Sequence, residues 1–161
     1  RTSSSAASDV YKRQDLYFMQ EALLQAEIAQ DQGEVPVGAV LTFNNEIVSR
    51  AHNTSIRSGD PSAHAEVNVI RDAAKKLNNY RLKGTSLYVT LEPCIMCCGL
   101  LIHSRIENLI FSAKDPKSGA VESKLRLLDS DFINHKVKYC QGPLVHETSE
   151  ILSNFFRKKR L

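Results

Sequence analysis

Three of the four cysteines lie within five residues, and this clustering constrains the fold more than any other feature. They are Cys94, Cys97 and Cys98, while Cys140 is distant. A disulfide scaffold uses wider, even spacing, whereas a cluster suits a metal or redox centre in a reducing compartment. Pro93 predicts a helix start, and residues i and i+3 lie on one helix face. We therefore expect the Cys94 and Cys97 sulfurs side by side at a helix N-terminus, which favours thiolates. Cys98 and Cys140 are predicted to be small buried hydrophobic residues.

A second polar motif, His64-Ala65-Glu66, begins another predicted helix about 30 residues before the cysteines. One histidine and two cysteines, His64, Cys94 and Cys97, suit zinc, and three protein ligands leave a fourth position open, as in catalytic sites. Such an ion lowers the pKa of a bound water to about 7. Glu66 is the candidate general acid and base. Because residues i and i+2 point in different directions on a helix, His64 and Glu66 can share a site only off the helix end.

Other interpretations of these residues stay open at this point. The spacing Cys94-x-x-Cys97 also occurs in redox dithiols. A structural zinc site needs a fourth protein ligand, for which the sequence offers His52, His103 and Cys140. Taken alone, Glu66 is an ordinary carboxylate at a helix start. Together, however, His-x-Glu and Pro-Cys-x-x-Cys form the signature of zinc-dependent nucleobase deaminases.

The remaining pattern predicts one three-layer α/β domain over residues 15–161. Helical spacing of apolar residues predicts helices over 15–32, from about residue 64, over 93–103 and over 144–160. Short β-branched or apolar segments predict strands at 35–43, 46–49, 87–91, 109–111 and 137–140. Asn44 and Asn45 predict a turn between the first two strands, which would then form a hairpin. This order places helices on both faces of one sheet. In the last helix, we expect four apolar side chains to face inward: Ile151, Leu152, Phe155 and Phe156.

The first fourteen residues are interpreted as a non-native, disordered tail. Residues 4–14 read SSAASDVYKRQ, which is what a common transposon-type sequencing adaptor gives when translated in frame. The segment has no hydrophobic run and is therefore no secretory signal. The net charge of the 161 residues is +3, which permits an anionic partner without requiring one. The longest apolar run, residues 94–102, is far shorter than the ~20 residues of a membrane span, so no membrane partner is expected.

Longer motifs extend the signature along nearly the whole chain. They are VPVGAV at 35–40, HN at 52–53, DPSAHAE at 60–66, NYRL at 79–82, LYVTLEPCIMC at 87–97, IHSRI at 102–106, DPKSGA at 115–120, NH at 134–135 and LSNFFRKKR at 152–160. In these segments the chain resembles the bacterial tRNA-specific adenosine deaminases. The resemblance implies a cytidine deaminase-like α/β/α fold with a central mixed five-stranded sheet. It also implies that His64, Cys94 and Cys97 bind one Zn²⁺ per subunit and that Glu66 shuttles the proton.

The resemblance further implies how the substrate is held. Asn53 would hydrogen-bond the flipped nucleotide, Val35 and Pro36 would line its pocket, and the Ala65 backbone would meet the base edge. Members of the family act as cytoplasmic homodimers on the anticodon loop of an arginine tRNA with an ACG anticodon, where the wobble adenosine becomes inosine. Asn68 lies in a variable stretch and receives no role.

Two basic segments are candidate RNA contacts. Residues 157–160, RKKR, directly follow two phenylalanines, and they could bind phosphates or simply complement the helix C-terminus. A predicted loop carries Lys114, Lys117 and Ser118, which could contact the RNA backbone. Two other functions remain open: a deaminase of a free base or nucleoside, and a non-catalytic zinc module with four protein ligands that only binds RNA.

Overall fold

The computed structural model describes residues 5–160, with side chains from Lys12 onward. The helices are α1 (Ser5–Asp31), α2 (Ser55–Ser58), α3 (Ala65–Lys76), α4 (Ile95–His103) and α5 (Val145–Arg160). The strands are β1 (Gly38–Phe43), β2 (Glu46–His52), β3 (Thr85–Leu91), β4 (Asn108–Ala113) and β5 (Lys138–Gln141), and Leu127–Asp129 forms a single 3-10 turn. The predicted α/β class and the mixed five-stranded sheet are confirmed.

The sheet has the strand order β2-β1-β3-β4-β5. β1 and β2 form the predicted antiparallel hairpin, because Asn44 and Asn45 both adopt positive φ, as a tight two-residue hairpin turn requires. β1 also pairs antiparallel with β3, whereas β3, β4 and β5 are mutually parallel. Parallel neighbours need a crossover, and α4 provides the one between β3 and β4. The amino terminus of α4 therefore lies at the carboxyl end of β3.

Alternating side chains divide the core between the two faces of the sheet. Val40, Tyr88 and Ile110 pack in one cluster with α1 residues Phe18 and Met19. The intervening strand residues pack in a second cluster with α3 and α4; they include Leu41, Val89 and Phe111. Period-two alternation thus gives the three predicted layers.

The first helix begins at Ser5, ten residues before its predicted start. Residues 5–14 continue this helix in place of the predicted disordered tail. No glycine or proline interrupts residues 5–31, and Ala6 and Ala7 favour helix. The part of the tail at residues 1–4 lies outside the described residues. That the segment is non-native stays a prediction.

Two predicted burials are wrong. Phe156 is 44% exposed, whereas Leu152 and Phe155 are buried. Adjacent residues of a helix point in different directions, so Phe155 and Phe156 cannot both face the core. Cys140 is exposed because β5 is the last strand of the sheet, while Cys98 is buried as predicted. Within residues 5–160, no helix combines the length and apolarity needed to cross a membrane.

Candidate active site

The candidate metal ligands lie at the amino termini of two neighbouring helices. His64 is the N-cap of α3 and Cys94 is the N-cap of α4, and both have extended backbones. Cys97 follows in the first turn of α4. His64 Nδ1 lies 3.7 Å from Cys94 Sγ and 3.6 Å from Cys97 Sγ. The ligand atoms all lie within 4.8 Å of one another, so the fold brings three separate sequence positions to one point.

This spacing fits a zinc ion. With Zn–S bonds of about 2.3 Å and Zn–N bonds of about 2.0–2.1 Å, tetrahedral geometry requires an N···S distance of about 3.6 Å. The donor set of one imidazole and two thiolates is also one that zinc prefers. Across residues 12–160, the cluster contains only these three ligands. Its candidate fourth ligands lie elsewhere: His52 contacts Gln25 and Gln32, while His103 and Cys140 are exposed.

Glu66 is enclosed beside the ligands. It is the second residue of α3 and is only 4% exposed. Burial raises its pKa to about 7, against smaller opposing effects that include the charge of His64. His64 and Glu66 can meet because the site lies off the end of α3 rather than on its side. A carboxylate with a pKa near neutrality can both accept and return a proton.

The thiols have strongly different proton affinities. The hydrogen bond from the Cys97 thiol and, against the cost of burial, the one with His64 lower the pKa of Cys94 to about 4. Donation to Cys94, together with burial, raises the pKa of Cys97. The hydrogen bond to Cys94 also raises the pKa of His64. The arrangement therefore favours a Cys94 thiolate at the positive N-terminus of α4, and this thiolate is available to bind a cation.

The predicted substrate-contacting residues form a connected rim beside His64. Asn53 Oδ1 accepts a 2.7 Å hydrogen bond from the Ala65 N–H, and the Asn53 N–H donates to the Val37 carbonyl at 3.2 Å. Half-buried Val35 and buried Pro36 directly precede Val37. Because the Ala65 N–H is already bonded to Asn53, contact of this N–H with a base would share or replace that bond. The Asn53 Nδ2 has no partner among residues 12–160.

Two residues that support this rim were missed in the sequence. Asn68 Nδ2 donates to the His52 carbonyl at 2.9 Å and to Thr54 Oγ1 at 3.0 Å, so α3 holds the loop that carries Asn53. Glu34 is buried and accepts hydrogen bonds from two backbone N–H groups at the start of α2. The spacing of Asn68, four residues after His64, is the signal that places both on one side of α3.

A buried glutamate and a histidine-cysteine cluster at two helix termini on such a sheet are typical of nucleobase deaminases. The fold and the site are thus those of the nucleobase deaminase class. The sequence profile of the MafB19-like deaminases matches residues 13–160.

Individual relatives narrow the class further. A tRNA-specific adenosine deaminase of Aquifex aeolicus is 51% identical over 144 residues, which cover 89% of this chain and 95% of the relative. One from Bacillus subtilis is 46% identical over 147 residues, 91% of each chain. A solved structure described in a study of A-to-I editing by tRNA:A34 deaminases at the wobble position has a TM-score of 0.83 and 42% identity. It covers 85% of this chain and 99% of that one. The chain therefore belongs to the tRNA-specific adenosine deaminase family.

Proposed function

We propose that this chain converts adenosine to inosine at the wobble position of an arginine tRNA with an ACG anticodon, by zinc-dependent hydrolysis. The observation that carries the proposal is the convergence of His64, Cys94 and Cys97 on one point beside buried Glu66. Membership of the tRNA-specific adenosine deaminase family supports adenosine in tRNA as the substrate. The donor set and its spacing support zinc as the cofactor, one ion per subunit.

Glu66 carries the proton through the reaction. A zinc ion held by His64, Cys94 and Cys97 would supply a water whose pKa is near 7. Water adds to C6 of adenine, and Glu66 accepts the proton that the water gives up. Glu66 donates it to the adjacent ring nitrogen, then accepts the proton of the new C6 hydroxyl and passes it to the amino group, which departs as ammonia while C6 becomes a carbonyl. One water is consumed, and inosine remains.

The rim can accept only a nucleotide that is no longer stacked on its neighbours. A stacked base cannot reach a site enclosed between two helix termini, so the substrate is an anticodon-loop nucleotide flipped out of the loop. The free Asn53 Nδ2 can donate a hydrogen bond to this nucleotide. Val35 and Pro36 are placed before β1 as apolar walls, and the Ala65 backbone lies at the base edge.

The basic end of α5 is the candidate phosphate-binding surface. Residues 157–160 are exposed, and Lys158 and Lys159 line a groove with Gln30 and Asp31 at the end of α1. The chain leaves α1 there and continues directly to Val35. A phosphate backbone on this groove would therefore run beside the segment that leads to the pocket.

A homodimer is the proposed assembly, with the outer face of α4 as its contact surface. Ile95 is 59% exposed and Phe132 is 78% exposed, and both line an apolar groove together with Gly99. A Cβ on Gly99 would meet nothing in the described part of the chain, so packing among those residues does not explain glycine at the centre of this helix. An apolar groove on a helix next to the metal ligands is typical of a protein interface. We expect Ile95→Glu to yield monomers in light scattering, whereas Glu147→Gln on α5 leaves the dimer intact.

The function is tested with zinc-loaded protein and an arginine tRNA bearing the ACG anticodon, with inosine read by sequencing. We expect conversion at the wobble position only, and Glu66→Gln should lower kcat by roughly 10²–10⁴-fold. The same tRNA with guanosine at that position is the matched control. We place the reaction in the cytoplasm, a reducing compartment in which free cysteine thiols persist.

The control substrates separate the proposal from its alternatives. Folded, zinc-bound protein that leaves the tRNA unchanged but deaminates free adenosine, cytosine or guanine would identify a small-substrate deaminase. Protein that binds tRNA without turnover, whether or not Glu66 is present, would identify a binding module.

A further inference from the structure

Glu92 is a buried carboxylate two residues before Cys94. Its side chain is 2% exposed, and no lysine, arginine or histidine in the described part of the chain forms an ion pair with it. Among residues 12–160, all the hydrogen bonds to its carboxylate come from residues 115–123. Oε1 accepts from the Asp115 N–H at 3.0 Å and from the Ser123 hydroxyl. Oε2 accepts from three consecutive backbone N–H groups, those of Val121, Glu122 and Ser123, at 3.1, 2.8 and 2.9 Å.

The surrounding loop is shaped to hold this carboxylate. A Cβ on Gly119 would overlap the Glu92 carboxyl group, so glycine is needed for the loop to close around it. The backbone on either side of Glu92 is also bound. The Glu92 N–H donates to the Ala113 carbonyl at 2.8 Å, and the Pro93 carbonyl accepts from the Ala120 N–H at 2.9 Å. The turn that presents Cys94 is therefore held on the loop by side-chain and backbone bonds together.

We propose that Glu92 is a positioning residue that couples the metal centre to residues 114–123. The inference rests on the proposed zinc site and extends it to the loop that carries Lys114 and Lys117. A metal bound to Cys94 would restrain the turn that precedes it. The hydrogen bonds between Glu92 and residues 115–123 would then restrain the loop as well. Because coupling between two sites is reciprocal, loop order also strengthens metal binding. The candidate RNA-contacting loop is then more strongly ordered when the catalytic centre is complete.

Glu92→Gln tests this coupling with almost no change in shape. A glutamine offers one acceptor oxygen where the loop presents donors on both sides. With that oxygen facing the three consecutive N–H groups, the amide NH₂ faces Asp115 N–H, which loses its acceptor. Gly119→Ala breaks the same arrangement from the loop side without altering the carboxylate.

Two controls separate coupling from general destabilisation. Glu122→Gln removes the same charge from a side chain whose one ion pair among the described residues is with Lys114, at 3.5 Å, and keeps the backbone bonds. Val40→Ala lowers stability through the core on the opposite face of the sheet. The measurements are zinc affinity, by competition with a chromophoric chelator, and hydrogen exchange of the 115–123 amides with and without zinc.

We expect zinc to slow exchange of these amides in the unaltered chain. In Glu92→Gln and Gly119→Ala, zinc affinity should fall about tenfold, as is typical when groups that orient metal ligands are lost, and the zinc-dependent slowing should disappear. Glu122→Gln and Val40→Ala should behave as the unaltered chain. If Glu92→Gln does not fold, Gly119→Ala decides alone.

Wild-type zinc affinity and wild-type protection in the folded variants would overturn the coupling, as would an equal loss in Val40→Ala. An unaltered chain that binds no zinc would instead refute the zinc site, and the coupling with it. The two failures are thus distinguishable.

Discussion

Gly38 sets the distance between α1 and the sheet, and replacing it with alanine should cost about 3 kcal/mol. A Cβ at this position would overlap the Ala22 carbonyl oxygen, the Ala26 nitrogen and the Gln25 Cβ. Overpacking typically costs ~1–3 kcal/mol. The upper end applies here because two of the three obstructing atoms are helix backbone, which cannot rotate away. For a chain of this length, that loss corresponds to a Tm lower by about 6–12 °C.

The same substitution should also weaken substrate binding. Gly38 follows Val37, whose carbonyl accepts the Asn53 N–H, and the Gly38 N–H donates to Thr90 Oγ1 at 3.1 Å. A displaced β1 would therefore move the apolar wall and Asn53 together, so KM should rise more than kcat falls. Steady-state kinetics on the tRNA would measure this change.

Urea unfolding of the zinc-loaded protein, followed by circular dichroism, measures the stability loss. The matched control is Gly99→Ala, whose Cβ would meet nothing and whose helix propensity predicts a gain of up to about 1 kcal/mol. The control is measured at dilutions where the protein is monomeric. A Gly38→Ala variant within about 0.5 kcal/mol of the unaltered chain would refute the close packing of α1 on β1.

Three further changes probe the site, a side-chain hydrogen bond and the RNA contact. Cys94→Ser should abolish stoichiometric zinc binding, measured by atomic absorption; a full zinc complement would contradict its role as a ligand. The Ser49 hydroxyl, 2.6 Å from Asp72, and then Lys76 lower the pKa of Asp72 below its ordinary 3.8. Because the lowered pKa stabilises the fold above pH 3.8, the cost of Ser49→Ala, about 1 kcal/mol at neutral pH, should shrink as the pH falls below that value. Urea unfolding across that range checks this, and a constant cost would contradict it. Replacing the basic residues within 157–160 by alanine should weaken tRNA binding and reduce its salt dependence, by about 0.7–0.9 in the logarithmic slope per lost phosphate contact. If filter binding gives an unchanged slope of log binding constant against log salt concentration, these side chains do not contact phosphates.

Sequence periodicity was sufficient to predict the layers of the fold, but not where α1 begins or which strand lies at the edge of the sheet. Asn44 and Asn45 between two apolar runs predicted the hairpin, and Pro93 predicted the start of α4. The start of α1 was misplaced because the residues before Asp15 were assigned by their origin, although their composition is compatible with helix. The exposure of Cys140 depends on which strand lies at the sheet edge, and strand order is not visible in local patterns.

The parts of the site that short sequence motifs carry could be predicted from the sequence. The spacing of the two cysteines and the adjacency of His64 and Glu66 predicted the cluster, because ligand geometry and helix geometry are both known in advance. Glu92 and Asn68 could not be found in this way. Each is bonded to backbone groups of a distant segment, and the sequence does not reveal which loops fold back onto which helix.

The position of both ligand helices in one uninterrupted stretch has a consequence for how such enzymes diversify. His64, Glu66, Cys94 and Cys97 all lie between residues 64 and 97, whereas the rim side chains of Val35, Pro36 and Asn53 and the basic groove come from segments before and after it. Reaction and selectivity are thus encoded in separable pieces of the gene. Grafting the outer segments of a different deaminase onto this central stretch, with residues 114–123 kept to hold Glu92, would exchange the molecule that is recognised while the hydrolytic chemistry is inherited unchanged.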